Sequence, residues 1–229
     1  MALIKFGDNV VVQSGKVGGN VYSRNRGGAY RKNWVKPNNP QTTYQTAVRT
    51  IFTGFSQGWR LLTSAQRTAW NSMVENFQRV NRLGDLRTLS GKALYQSLNN
   101  NLLNVGATAI TSPLMPAGVE SAGDVTIAAA VGANTVTLTY SNAIAADMNL
   151  VVEATPGLSP GITNASNRFR QVAVLDNGDA SPYALRPEYD VKYGAVPAQG
   201  SRLSVRVYMV NNTTGEKGTY TTATCIVAA

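Results

Sequence analysis

Apolar positions recur at helical spacing through the first half of the chain and at every other residue through much of the second. Val48, Ile51, Phe52, Phe55, Trp59 and Leu62 form a one-sided stripe with a period near 3.6, which predicts an amphipathic helix whose apolar face reads as core. Thr42 or Thr43 can cap it, just past Pro37 and Pro40, where residues preceding proline avoid the helical region. A capping box, Thr63-Ser-Ala-Gln66, opens a second helix with the stripe Trp70, Met73, Val74, Phe77 and Val80. The connection between the two is so short that they must pack as an antiparallel or angled pair. A third helix starts near Ser90, carries Leu94, Leu98 and Leu102, and stops at Gly106.

Residues 108–122, rich in Pro, Ser, Ala and Gly, read as a boundary, and beyond them the period falls to two. Candidate strands are Val125–Ala130, Thr135–Tyr140, Asn149–Ala154, Phe169–Leu175, Tyr189–Tyr193, Leu203–Val210 and Tyr220–Val227. The alternation of Leu203, Val205 and Val207 with polar neighbours gives one buried and one open face. Seven short strands separated by turn signals predict a β-sandwich. With no Cys…Trp…Cys pattern it is a fibronectin-like or other Ig-like one.

Ahead of the helices the pattern is different again. Leu3–Phe6 and Val10–Gln13 read as short strands around Gly7-Asp8-Asn9. Then Val21–Arg24 and Ala29–Arg31 flank an Arg26-Gly27-Gly28 turn, a hairpin signal. The fold class expected is therefore α+β: an N-terminal β-hairpin arm (residues 1–40), a small three-helix hub (41–107), a linker (108–122) and an Ig/fibronectin-like β-sandwich (123–229). A lone hairpin is marginal in water, so the arm should be ordered mainly against something else.

Charge sharpens this division. Residues 1–106 carry 14 lysines and arginines against Asp8, Glu75 and Asp85, a net of 14 − 3 = +11, while residues 107–229 carry 7 against 9 acids, a net of −2. A basic half can face nucleic acid, a membrane surface or an acidic protein. Only 14% of the residues are charged, below the roughly 25% usual in soluble domains. That composition suits a surface covered by neighbours, and equally an ordinary neutral one.

Candidate chemistry is sparse. The chain contains no histidine, which removes Ser-His-Asp and Cys-His nucleophilic pairs and His-ligated zinc. The acids stand singly in turn contexts such as Asp176-Asn177-Gly178-Asp179, where a carboxylate normally bonds the backbone. The single cysteine, Cys225, allows no internal disulfide and sits in an apolar alternation as a small buried side chain. No apolar run reaches the ~18–20 residues of a membrane helix. MALIKFGDNVVV lacks the h-region and cleavage site of a signal peptide, so synthesis in the cytoplasm without such an export signal is expected. The expectation is a chain with no enzymatic activity, no cofactor and no metal.

What remains is the arm. Its candidate interaction residues are Gly18, Gly19, Tyr22, Arg24, Arg26, Gly27, Gly28, Tyr30, Arg31 and Trp34. Arginines interleaved with aromatics fit phosphate contacts and base stacking. The same composition fits protein docking, in which Arg, Tyr and Trp are the favoured anchors. Docking is preferred here, because no nucleic-acid module signature accompanies the basic residues: the glycines match no phosphate loop, and the second helix is a thin match to a DNA-recognition helix.

The strings Gly15-Lys-Val-Gly-Gly19, Tyr22-Ser-Arg-Asn-Arg26-Gly and Tyr30-Arg31 are followed by Pro37-Asn-Asn-Pro40-Gln-Thr, Gln45, Arg49 and Leu62-Thr-Ser-Ala-Gln-Arg67-Thr-Ala-Trp70. Together they resemble a widespread family of tailed-phage and prophage virion-type proteins with a Gly/Arg-rich N-terminal arm, short helices and a C-terminal Ig-like domain. The resemblance spans roughly residues 13–75 and runs more loosely through the sandwich. It implies a virion structural protein whose partners are other virion proteins and copies of itself, assembled in the host cytoplasm. A nucleic-acid-binding protein acting on phage DNA is the alternative. Glycan attachment through the sandwich ranks last, since no aromatic sugar platform is evident.

Overall fold

A computed structural model describes all residues except Met1, Phe6, Asp8, Asn9 and Arg82. The chain divides into two compact units, one of residues 1–97 and 110–116, the other of residues 98–109 and 117–229. The segment expected as a linker is thus shared, with residues 110–116 returning to the first unit.

In the first unit, β1 (Ala2–Leu3), β2 (Gly15–Val17), β3 (Asn20–Asn25) and β4 (Gly28–Asn33) form an antiparallel sheet in the order β1-β4-β3-β2. Both tight turns have two-residue loops. Gly18-Gly19 joins Val17 to its partner Asn20, and Arg26-Gly27 joins Asn25 to Gly28. Gly18 has φ +56°, a left-handed value that a two-residue hairpin needs and that costs glycine nothing. The expected hairpin is therefore present and larger than expected. Val10–Gln13 is not a strand, and of the expected Leu3–Phe6 strand only Leu3 is in one, with Ile4 and Lys5 outside β1; Phe6 and the Asp8-Asn9 part of the proposed turn fall outside the described residues.

α1 (Thr43–Leu61) is capped by Thr42, whose Oγ1 accepts from the Gln45 N–H at 3.3 Å. α2 (Ser64–Met73) starts at the reciprocal capping box. The Gln66 N–H donates to Thr63 Oγ1 at 3.2 Å, and the Thr63 N–H donates to Gln66 Oε1 at 2.9 Å. A 3₁₀ turn (Val74–Phe77) ends the helical run. Val80, expected on that helix, lies instead in a short hairpin of β5 (Arg79–Val80) and β6 (Leu86–Arg87). Asn81 closes it, its Oδ1 accepting from the Leu83 and Asp85 N–H groups. α3 (Gly91–Asn104) begins where Ser90 Oγ accepts from the Ala93 N–H, and it runs on into the second unit.

Packing in the first unit centres on two rings. Trp70 is fully buried and donates its indole N–H to the Thr111 carbonyl at 2.8 Å. Tyr95 meets Trp70, Trp59 and Phe55 with ring centroids 5.4, 5.6 and 6.3 Å apart. Gly91 permits the close approach of α3 to α2, because a Cβ there would come within 2.4 Å of Asn71 Oδ1. The expected core face of α1 is corrected by this geometry. Leu62, just past its end, is buried and Phe55 and Trp59 are half-buried, but Val48, Ile51 and Phe52 are exposed. The rings that could cover α1 gather at its C-terminal turns and leave its first half open.

The second unit holds β7 (Val125–Ala130), β8 (Thr135–Tyr140), β9 (Met148–Ala154), β10 (Arg170–Leu175), β11 (Tyr183–Ala184), α4 (Arg186–Tyr193), β12 (Arg202–Asn211) and β13 (Thr221–Ile226). Two antiparallel sheets, β7-β8-β11 and β10-β9-β12-β13, enclose one core. Ala130 and Ala228 bridge in parallel between them. Ile127, Leu138, Leu150, Val152, Leu203, Val205 and Val207 all point into that core, the period-two pattern made solid.

Tyr189–Tyr193, expected as a strand, is helical. Pro187 sits in the first turn of α4, Arg186 pairs with Asp190 one turn on, and Gly194 caps the end with φ +86°. Tyr189 is buried there, its hydroxyl donating to the Thr155 carbonyl at 3.0 Å. The strand partner of β8 is instead the two-residue β11, too short for periodicity to reveal. The chain is thus α+β, with four α-helices and antiparallel sheets among the described residues.

Candidate functional site

The N-terminal sheet presents its predicted residues on two faces. Tyr22 and Arg31 are direct cross-strand partners, as are Arg24 and Ala29, so both arginines share the face of Tyr22. Tyr30 pairs with Ser23 and with Leu3 on the opposite face, next to the Val21–Lys32 pair. Arg26 and Gly27 form the turn, and Gly28 follows with φ +107°. Gly18 and Gly19 form the other turn, and the Gly19 carbonyl accepts from the Trp34 N–H at 2.7 Å. Trp34 is left 56% exposed, with Lys16 Nζ 4.2 Å from its ring centroid.

No described side chain of the sheet is fully buried; Tyr22 and Tyr30 are half-buried, and Arg24, Arg26, Arg31 and Lys32 are exposed. Arg24, Arg26, Arg31, Lys32 and Lys36 form no ion pair with any described residue. Lys5 does, meeting Asp85 at 2.9 Å. The hydrogen bonds that Asp85 accepts from Lys5 and Asn81 hold its carboxyl below the ordinary aspartate range.

Two clefts border the sheet. One, of about 360 Å³, is lined by Lys5, Val11, Val12, Gln13, Arg24, Gly28 and Ala29. The other, about 310 Å³, lies between the Arg26 turn and the start of α3, with Glu75 in its wall. The turn also touches the β5–β6 hairpin, since a Cβ on Gly27 would lie 3.6 Å from Arg87 Cδ. The predicted residues are thus brought together on one small sheet anchored beside the helices.

Sequence reasoning missed an adjoining feature. Trp34 and Val35 past β4, then Tyr44, Val48, Ile51 and Phe52 on α1, are all exposed. The α1 stripe was legible, but its exposure was not, because periodicity reports that a helix has two faces and not whether the apolar one is covered.

The fold and this surface define a mixed α+β chain with an open, cation-rich N-terminal sheet. No protein-family model matches the chain, and neither a curated protein nor a solved structure is significantly similar to it. Among the described residues no helix is long and apolar enough to cross a membrane, and no group of three His, Cys, Asp or Glu is placed to hold a metal ion.

Proposed function

We propose that the chain is a structural subunit of a tailed-bacteriophage particle, a head-decorating, head–tail junction or tail-accessory protein that holds copies of itself and other virion proteins through its N-terminal sheet. The observation that carries this reading is the joint exposure of large apolar and cationic side chains between Val10 and Phe52. Exposed Trp, Tyr and Phe beside unpaired Arg is the composition of a protein-docking surface. The fold-level part of the reading is an Ig-like sandwich in the second unit. Two antiparallel sheets of three and four strands, in the order first-second-fifth and fourth-third-sixth-seventh, support that part of the reading. The resemblance of residues 13–75 to phage virion-type proteins supports the location in a virion. In this reading the chain carries no catalytic activity.

Nucleic-acid binding is the second reading, favoured by the five arm cations that no described carboxylate neutralises. Sedimentation separates the two. The full chain and a variant lacking residues 1–36 are compared with and without double-stranded DNA at two salt concentrations. Assembly of the full chain without DNA, lost on truncation, is the expected result. A monomer that shifts only with DNA, with a steep salt dependence set by the phosphates neutralised, would replace the first reading by the second.

A further inference from the structure

The second unit is electrically polarised along its strands. Register places the loops before β7, between β8 and β9, between β10 and β11, and between β12 and β13 at one end. That end carries Glu120, Asp124, Asp147, Asp176, Asp179 and Glu216 against one cation, Lys217. The opposite end carries Arg168, Arg170, Lys192 and Arg202, with the internally paired Arg186 and Asp190 and a further acid, Glu188, which accepts from the Tyr183 hydroxyl. A near-neutral unit is therefore strongly negative at one end, where its summed charge would attract a cationic partner.

At the acidic end lies a groove of about 490 Å³. Val119, Met148 and Met209 contribute apolar atoms to it, Glu120 and Asp147 supply carboxylates, and no cation lines it. Met148 and Met209 belong to the buried core, and the apolar surface of the groove comes from the half-buried Val119 and the exposed Ala117, Ala143 and Ala145. Asp147 is partly engaged, accepting from Asn211 Nδ2 at 3.1 Å, whereas the exposed Glu120 side chain makes no hydrogen bond to any described residue. The groove thus suits a short extended segment that presents apolar side chains next to a positive charge.

We infer that this groove receives the Trp34-Val35-Lys36 run of a second copy of the chain. The run has no regular secondary structure, its Trp34 is 56% and its Val35 71% exposed, and Lys36 forms no ion pair with any described residue. The charge signs decide the partner. A sheet-to-sheet contact would oppose the +11 half of one copy to the same half of another, whereas sheet-to-groove contact pairs opposite charges. Such a contact is heterologous: each copy offers one run and one groove, so copies add head to tail into a ring or a row. This deepens the assembly reading above and rests on it.

The test is charge exchange in the full chain, followed by sedimentation equilibrium. Glu120→Lys alone and Lys36→Glu alone each weaken self-association roughly tenfold, the effect of turning one exposed attractive pair repulsive. An equimolar mixture of the two regains the wild-type association. In an alternating assembly the native pair meets at one junction and the two reversed side chains meet at the next. Asp124→Lys, at the same acidic end but outside the groove, stays within about twofold of wild type. Wild-type association by either single variant, or a mixture no stronger than its parts, overturns the inference and leaves the assembly reading standing. A wild-type chain that stays monomeric at every concentration removes both. Restoration on mixing cannot come from misfolded chains, so it also controls for loss of structure.

Discussion

At the residue scale, the positions that matter most to the first unit are rings whose partners lie far away in sequence. Trp70 is held by packing on Tyr95 and by its hydrogen bond to Thr111, 41 residues on. Trp70→Ala should destabilise the chain by about 3–5 kcal/mol, the usual cost of a large buried aromatic, with Trp70→Phe recovering most of it. Urea unfolding followed by circular dichroism measures both, and a loss below about 1 kcal/mol for the alanine variant would show that the ring is not core. Cys225 gives a chemical counterpart. Burial raises its thiol pKa, so at pH 8 less of it is thiolate than in an exposed cysteine. Its reaction with a disulfide reagent should be slow in buffer and fast in denaturant, and equal rates would contradict its packing beside β7. That Cys225 would be a small apolar filler was readable from its neighbours. That Trp70 would bond Thr111 was not, because no local pattern records a hydrogen bond across so long a loop.

Elements behave according to how much of their signal is local. Both N-caps lie where the sequence places them, since a cap needs only residues three apart. Six of the seven candidate strands match their observed bounds within one residue at each end, because alternation and turn chemistry sit inside the segment. Tyr189–Tyr193 misled for the same reason: its apolar residues alternate, yet Pro187, Gly194 and the Arg186–Asp190 pair make Arg186–Tyr193 a helix. α1 offers the clearest test at this scale. Thr63→Ala should cost about 1 kcal/mol through loss of the α2 cap. Changing both Val48 and Phe52 to Ser should move stability by less than about 0.5 kcal/mol, because that face is already open. The same pair of changes should weaken self-association in the ultracentrifuge. A large loss of stability from Val48 and Phe52 would mean that the face is core after all.

At the scale of the whole molecule, the sequence by itself determined the two-part character of the chain: helical period and excess positive charge in one part, period two and near neutrality in the other. These are sums and repeats, which need no knowledge of contacts. It also determined the hairpin at Arg26-Gly27, because only a few residue types allow such a turn. Tertiary structure decided what each signal was for. It left the first half of the α1 stripe exposed, drew β11 beside β8, and passed α3 from one unit into the next. It also sorted the charges of the second unit to opposite ends, since only strand direction and register bring Glu120, Asp147 and Asp179 to one rim although they lie far apart in the chain. Periodicity shows that a face is apolar or a loop acidic. Coverage and clustering depend on non-local pairing, which the order of residues encodes only through the folded chain as a whole.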